Sequence, residues 1–207
     1  MNQKNSLGLD SCFKDLEDPL ALFTIWLVEA EKKEINNPNA LSLATTNSDN
    51  EPSVRMMLLK GLSPKGFVFY TNLNSPKSHD LKENPKAAMC FHWKSFNRQI
   101  RILGSVTQVE GREADLYFNS RLYESKISAW ASDQSNPMKE RFEFLKKIEV
   151  FKKKYKNEKN VPRQPHWSGW CLRPLSIEFW LHKDNRIHER LRYNKIANDW
   201  KKEILYP

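Results

Sequence analysis

The order of its hydrophobic periodicities constrains this 207-residue chain more than any single motif does. Strand-like segments come first: "ALSLATT" (40–46), "SVRMMLLKG" (53–61) and "FVFYTN" (67–72), rich in strand formers and separated by the turn clusters "NSDNEP" and "SPKG". Their short links predict an antiparallel meander. "KAAMCFHW" (86–93) and "RQIRILGSVTQVE" (98–110) predict two longer strands joined by "KSFN". From Arg112 to Tyr155 the spacing turns helical, and breaks near "SRLYES" and "SDQSNP" predict three helices. Strands return in "WCLRPLSIEFWLH", "NRIHERLRYN" and "WKKEILYP". A chain that leaves a sheet, makes helices and comes back must seat its last strands beside its first, which predicts an α+β fold. Ile100 and Ile102 alternate imperfectly with Arg101 and Leu103, as in a barrel-like sheet with both faces partly covered.

Ahead of the strands, "DPLALFTIWLVEAEKKE" places Asp18 as an N-cap, Pro19 at the first helical position, and Leu22, Phe23, Trp26 and Leu27 at amphipathic spacing. Residues 1–17 are polar and mixed, so they are expected to be a mobile segment before a single domain over 18–207. They lack the apolar stretch of a signal peptide, and no apolar run approaches a membrane span. Cys12, Cys90 and Cys171 are odd in number and far apart, which suits neither a disulfide framework nor a thiolate zinc site. A reducing compartment, the cytoplasm, is the expectation. The five histidines show no H-x-x-x-H spacing, the six glycines form no phosphate loop, and no G-x-S-x-G elbow occurs. Neither a metal nor a nucleotide-binding parallel sheet is expected.

The formal charge of +9 is compatible with polyanions, membranes or phosphorylated small molecules. Much of it lies in "KKIEVFKKKYKNEK" (146–159), read as a helix and polar connector with solvated lysines. Three other features are better suited to small anions. In "TNLNSPKSHDLKENP", Ser75 is a predicted N-cap, Pro76 opens a helix and Lys77 stands just inside it, directly after a strand ending in Tyr70 and Thr71. Tyr117, Arg121 and Ser125 recur at i, i+4 and i+8, one helical stripe of phenol, guanidinium and hydroxyl. In "RIHER" (186–190), an extended strand would project Arg186, His188 and Arg190 from one face and Ile187 and Glu189 from the other. That cationic row has no counter-ion within its own segment. Arg55 and Lys60, five apart, share a face only if Lys60 sits at a bulge or a strand end.

Taken in order, these pieces resemble the pyridoxamine 5'-phosphate oxidase family. "IEFWLHKDNRIHERLRY" is similar to its C-terminal run, E-F-W and then R-[aliphatic]-H-[acid]-R, and "DPLALF", "RMMLLKG", "FVFYTN", "SPKSHDLKENP", "RQIRILG", "YFNSRLYESKISAWASDQS" and "WKKEILYP" agree from Asp18 onward. The resemblance implies an FMN-binding split β-barrel with flanking helices, a homodimer with FMN at the interface, acting on neither nucleic acid nor membrane. It implies oxidation of pyridoxamine 5'-phosphate or pyridoxine 5'-phosphate to pyridoxal 5'-phosphate, with O2 as acceptor and H2O2 as product. FMN would be held by Arg55, Met56, Met57, Leu58, Leu59, Lys60, Tyr70, Thr71, Lys77, Gln99, Gln134, Ser135, Trp180 and Arg190. The substrate phosphate would meet Lys60, Tyr117, Arg121 and Ser125, while Arg186 and His188 would orient the pyridine ring during hydride transfer from C4' to flavin N5. Pro76 stands where many members carry arginine, and Leu181 where a polar residue is usual. A fold relative acting on a phenazine precursor, and a non-enzymatic flavin- or nucleic-acid-binding module, are the alternatives; the set at 60, 117, 121 and 125 favours a phosphorylated substrate.

Overall fold

The computed structural model describes residues 4–157 and 161–207. Helix α1 (Pro19–Lys33) begins at the expected cap: Asp18 Oδ1 accepts from the Leu20 amide at 2.9 Å, and Pro19 occupies a position whose N–H would have no helical partner anyway. It buries Leu22, Phe23, Trp26 and Ala30 against the sheet. Phe23 meets Phe67 and Phe91 edge-on at 4.9 and 5.1 Å, and Trp26 meets Phe179 at 5.2 Å.

The strands are β1 (Ala40–Thr46), β2 (Pro52–Leu58), β3 (Gly61–Ser63), β4 (Gly66–Asn72), β5 (Lys86–Trp93), β6 (Arg98–Gln108), β7 (Trp167–Leu181), β8 (Glu189–Ile196) and β9 (Asp199–Leu205). They form one antiparallel sheet in the order β2-β1-β5-β6-β7-β4-β3, with β8 on β7 and β9 on β8, so the last strands do rejoin the first. The two ends of that path, β2 and β3, are linked only by Leu59 and Lys60. Leu59 N donates to Asn39 O at 2.9 Å and Lys60 N to Val68 O at 2.8 Å, which curls the sheet back on itself as a split barrel. The single strand expected over 53–61 is therefore two, and Lys60 takes the end position that its spacing from Arg55 required.

Strand β7 divides the sheet. Its first half pairs with β4 and its second with β8, while β6 runs along the other edge. The register slips between Leu103 and Gly104, opposite Ser176 and Pro174. A Cβ on Gly104 would lie 2.1 Å from Arg173 O, so the bulge there admits only glycine. On β6 the alternation is regular, with Ile100 and Ile102 buried and Leu103 46% exposed. Cover on both faces, expected there, is found on β4 instead: Phe67 and Phe69 enter the main core, Val68 a second cluster with Val109, Ala114 and Cys171.

Four further helices are α2 (Pro76–Glu83), α3 (Gly111–Asn119), α4 (Tyr123–Ala131) and α5 (Arg141–Lys154). The end of the basic run after α5, residues 158 and 159, lies outside the described residues. Residues 4–17, expected as a mobile segment, are placed against the body of the fold. Phe13 is fully buried, Trp26 Nε1 donates to Cys12 O at 2.9 Å, and the Tyr193 hydroxyl donates to Leu16 O at 2.9 Å. Leu9, Phe13 and Leu16 are too sparse to register as a period, yet each finds an apolar partner. Among the described residues no helix is long and apolar enough to cross a membrane.

Residues 184–186 form a single tight turn with Asn185 and Arg186 at φ 54° and 62°, and β8 begins only at Glu189. The alternation expected across 186–190 therefore fails before Glu189. An Asx residue tolerates the left-handed turn, which competes successfully with an extended chain here.

Candidate active site

A cavity of about 600 Å³ opens between the end of β2, β4, α4 and the chain entering β7. Of the residues proposed from sequence, Met56, Met57, Leu58, Lys60, Tyr70, Thr71, Tyr117, Arg121, Ser125 and Gln134 line it. Tyr117 lies in α3, Arg121 in the break and Ser125 in the first turn of α4, so the expected single stripe is in fact two helices folded at their junction onto one cavity. The Arg121 guanidinium lies over the Trp167 ring at 4.9 Å, and its Nη1 is buried with no hydrogen-bond partner. Burial lowers its pKa from the usual arginine range. A buried cationic donor without an acceptor is costly, and an anion in the cavity would relieve it. Tyr70 and Tyr117 stack at 4.0 Å, with Trp167 parallel to both. Gly169, opposite Tyr70 on β7, makes this possible: a Cβ there would sit 2.8 Å from Tyr70 Cδ1. Burial first, and then Glu113, whose carboxylate accepts from the Tyr70 hydroxyl at 3.4 Å, push that phenol up.

A second cationic group adjoins Thr71. Lys77, only 7% exposed, donates to Thr71 Oγ1 at 3.1 Å and Ser75 Oγ at 3.0 Å. Burial, helped by the charge of Arg55, pulls its ammonium down to about 8. Ser75 is the N-cap of α2 as expected, yet its hydroxyl donates to Asn72 O instead of capping; Pro76 has no N–H, and the Ser78 and His79 amides donate to Ser75 O at 2.9 and 3.1 Å. Arg55 donates to Thr45 Oγ1 at 2.7 Å and lies 4.0 Å from Asp80. Ser135 lines a neighbouring hollow that shares Gln134 with the cavity. Leu59 is buried in the core. The Lys77 ammonium and the Thr71 hydroxyl can hold a phosphate; among the described residues no group of His, Cys, Asp and Glu is placed to hold a metal.

Gln99, Trp180, Arg186, His188 and Arg190 do not line the cavity. Gln99 pairs with Trp180 across β6 and β7, and Trp180 with Arg190 across β7 and β8, while the His188 ring lies 4.7 Å from the Trp180 ring. Arg186 is exposed. Arg190 has the internal counter-ion that its segment lacks: its Nε donates to Glu178 Oε1 at 2.9 Å and its Nη1 to Tyr206 O. Glu178 is diagonal to Arg190 across two strands, a relation invisible in the local sequence. Trp167, in the cavity wall, and Trp180 stand thirteen positions apart on β7, on the order of 40 Å of strand. Within one chain the two groups of residues proposed from sequence therefore lie apart.

Sequence reasoning missed Asn72, Ser128, Ser132, His166 and Trp167 in the cavity wall. Ser128 and Ser132 continue the helical spacing from Ser125 and were legible by extension; His166 and Trp167 arrive only through the pairing of β7 with β4.

Two family models match the chain: one described as pyridoxamine 5'-phosphate oxidase over residues 27–155, the other as the pyridoxine 5'-phosphate oxidase C-terminal dimerisation region over 167–207. A protein of Pelagibacter ubique named pyridoxine/pyridoxamine 5'-phosphate oxidase is 58% identical over 208 residues, covering 100% of both chains. One of the same name from Bartonella henselae is 48% identical, over 98% of this chain and 99% of that one. Among solved structures, PhzG from Burkholderia lata, in complex with tetrahydrophenazine-1-carboxylic acid, superposes with a TM-score of 0.89 at 30% identity, covering 95% and 96% of the two chains. A pyridoxamine 5'-phosphate oxidase-related, FMN-binding protein of Nostoc punctiforme shares the fold, with a TM-score of 0.73 at 15% identity over 92% and 98%.

Proposed function

Because the chain belongs to the pyridoxamine 5'-phosphate oxidase family, we propose that it oxidises pyridoxamine 5'-phosphate and pyridoxine 5'-phosphate to pyridoxal 5'-phosphate, with FMN as cofactor. The observation that carries this reading is the nearness of two cationic anion-binding groups: Lys60, Tyr117, Arg121 and Ser125 in the cavity wall, with an unpartnered buried guanidinium nitrogen, and Lys77 bonded to Thr71 of that same wall. Two phosphorylated ligands side by side need two such groups.

The residues fit FMN. Lys77 would hold its phosphate, Met56 to Leu58 and Gln134 would flank its ring system, and Thr71 lies between. When bound, FMN would supply a two-electron acceptor for the hydride on the substrate C4', with O2 as the final acceptor and H2O2 as product. The chain's own residues bind and orient. Arg121 neutralises the substrate phosphate, Lys60 and the Tyr117 and Ser125 hydroxyls complete its shell, and the Tyr70–Tyr117–Trp167 stack keeps that shell rigid. With the amine substrate, oxidation yields an imine whose hydrolysis by water releases ammonia.

Gln99, Trp180, Arg186, His188 and Arg190 would reach this cavity from a second copy of the chain, with FMN between the two. Support comes from the separation of the two groups of residues along β7 and from the match to a dimerisation region over the segment that holds four of these five residues. Arg186 and His188 would then meet the substrate ring and stabilise charge developing on it. The phenazine reading draws on the 30% identical structure, but a phosphate-shaped set at 60, 117, 121 and 125 argues for a phosphorylated substrate. Anaerobic addition of pyridoxamine 5'-phosphate to the yellow, flavin-loaded protein should bleach its visible absorbance. A colourless protein after saturation with FMN, or a yellow one that stays yellow, would refute the proposal.

A further inference from the structure

The turn that carries Arg186 and His188 is bolted at both shoulders to the N-terminal segment. On one side Lys183 Nζ lies 2.8 Å from Asp10 Oδ2. On the other, the Asp10 amide donates to Glu189 Oε2 at 2.5 Å, and Lys4 Nζ lies 2.9 Å from Glu189 Oε1. The Asp10 and Glu189 side chains are only 15% and 12% exposed, so these pairs are better shielded than ordinary surface ion pairs. Asp10 is itself fixed, accepting from the Cys12 amide at 3.0 Å between the buried Leu9 and Phe13. Burial alone would raise the Asp10 carboxyl, but Lys183 and the Cys12 amide overcome it and hold the group at about 2.

Between the two bolts the backbone is strained. Asn185 and Arg186 stand at φ 54° and 62°, a conformation unfavourable for a non-glycine residue such as arginine that persists only where the surroundings over-determine it. Within the same turn the Lys183 amide donates to His188 Nδ1 at 3.2 Å. An amide is always a donor, so neutral His188 must carry its proton on Nε2.

We propose that Asp10 is a positioning residue for the oxidation: through Lys183 and Glu189 it fixes the turn that aims the Arg186 guanidinium and presents the His188 Nε2 proton. This rests on the reading that the turn faces substrate. It also gives a role to Glu189, the acid of the R-[aliphatic]-H-[acid]-R run: it receives the N-terminal segment.

The test uses the full-length, flavin-loaded protein as the parent, D10A and K183M variants, and the charge-reversed pair D10K/K183D. Two readouts are taken: the anaerobic rate of flavin reduction at saturating pyridoxamine 5'-phosphate, and the long-range ¹H–¹⁵N spectrum of His188. D10A and K183M should retain flavin yet reduce it about ten-fold or more slowly, as displacement of an orienting group does. His188 should change from a single Nε2–H tautomer in the parent to a mixture in both variants, and the charge-reversed pair should recover most of the rate. Parent-like rates with an unchanged His188 spectrum in both single variants would overturn the proposal, and K183M alone decides if D10A does not fold. A parent that pyridoxamine 5'-phosphate fails to reduce refutes the functional reading instead, while the histidine spectrum still decides whether Asp10 fixes the turn.

Discussion

Replacing Lys77 with methionine should weaken flavin binding and, in the flavin-free protein, leave stability no lower than before. In the free protein Lys77 is 7% exposed and its pKa stands at about 8, against an ordinary 10.5. At about 1.4 kcal/mol per pH unit, the buried charge costs roughly 3 kcal/mol. Methionine removes that cost but also the donors to Thr71 Oγ1 and Ser75 Oγ, worth about 1 kcal/mol each. The balance is about 1 kcal/mol in favour of the variant, or a Tm higher by roughly 2–4 °C for a chain of this length. Flavin binding loses a charged hydrogen bond to phosphate, about 1.5–3 kcal/mol, so Kd should rise between ten- and a hundred-fold. Calorimetry of the stripped proteins and titration by flavin fluorescence quenching measure both. The sign with pH is also fixed. Below about 8 the lysine is charged in both folded and unfolded chains. Between about 8 and 10.5 only the unfolded chain holds the extra proton, so stability of the stripped parent rises with pH across that window. K77M should lack the rise. A stripped variant that melts well below the parent, or an unchanged flavin Kd, would refute the reasoning.

Other outcomes follow from the same geometry. Arg121→Leu should raise KM for the phosphorylated substrates by about ten- to a hundred-fold with a smaller effect on kcat, since the buried guanidinium binds the phosphate throughout; steady-state kinetics read the split. Gly169→Ala should destabilise the protein by about 1–3 kcal/mol in urea, because the new Cβ would press within 2.8 Å of the Tyr70 ring and 2.9 Å of Phe69 O, and the backbone oxygen cannot yield. Arg186→Leu should keep its flavin while anaerobic reduction slows by about a hundred-fold; undiminished reduction would remove that side chain from the reacting ring. At pH 8, titration of stripped protein with FMN in buffers of differing ionisation enthalpy should show uptake of about half a proton, as the bound phosphate restores the charge on Lys77.

Much of this architecture was legible because it is written locally. The Asp18–Pro19 helix start, the strand at 40–46 and the three helices after β6 each rest on signals within a few residues. The cavity was legible in part, since Lys60, Tyr117, Arg121 and Ser125 are all chemically apt for phosphate and all converge on it. What local reasoning could not reach depends on pairings between distant segments. The role of Glu178 as counter-ion to Arg190 requires the β7–β8 register, and the entry of His166 and Trp167 requires β7 against β4. The left-handed turn at Asn185 and Arg186 broke a strand alternation that composition alone supported. The packing of Phe13 and its neighbours is tertiary throughout, and no period announces it.

The account depends on a site divided between two copies, and complementation between defective chains tests it most directly. An Arg121→Leu chain, weak in substrate binding, and an Arg186→Leu chain, slow in flavin reduction, are co-expressed or unfolded and refolded together. They are assayed at a substrate concentration below the parent's KM, where each alone keeps only a small fraction of the parent's rate. If the cavity comes from one chain and the turn from the other, half of randomly assembled dimers are mixed and each mixed dimer holds one intact site. About a quarter of the parent's flavin-reducing sites should then return, by the mixing arithmetic of a two-fold assembly. If cavity and turn served each other within one chain, no combination would hold an intact site, and a mixture as slow as the two variants alone would contradict the account.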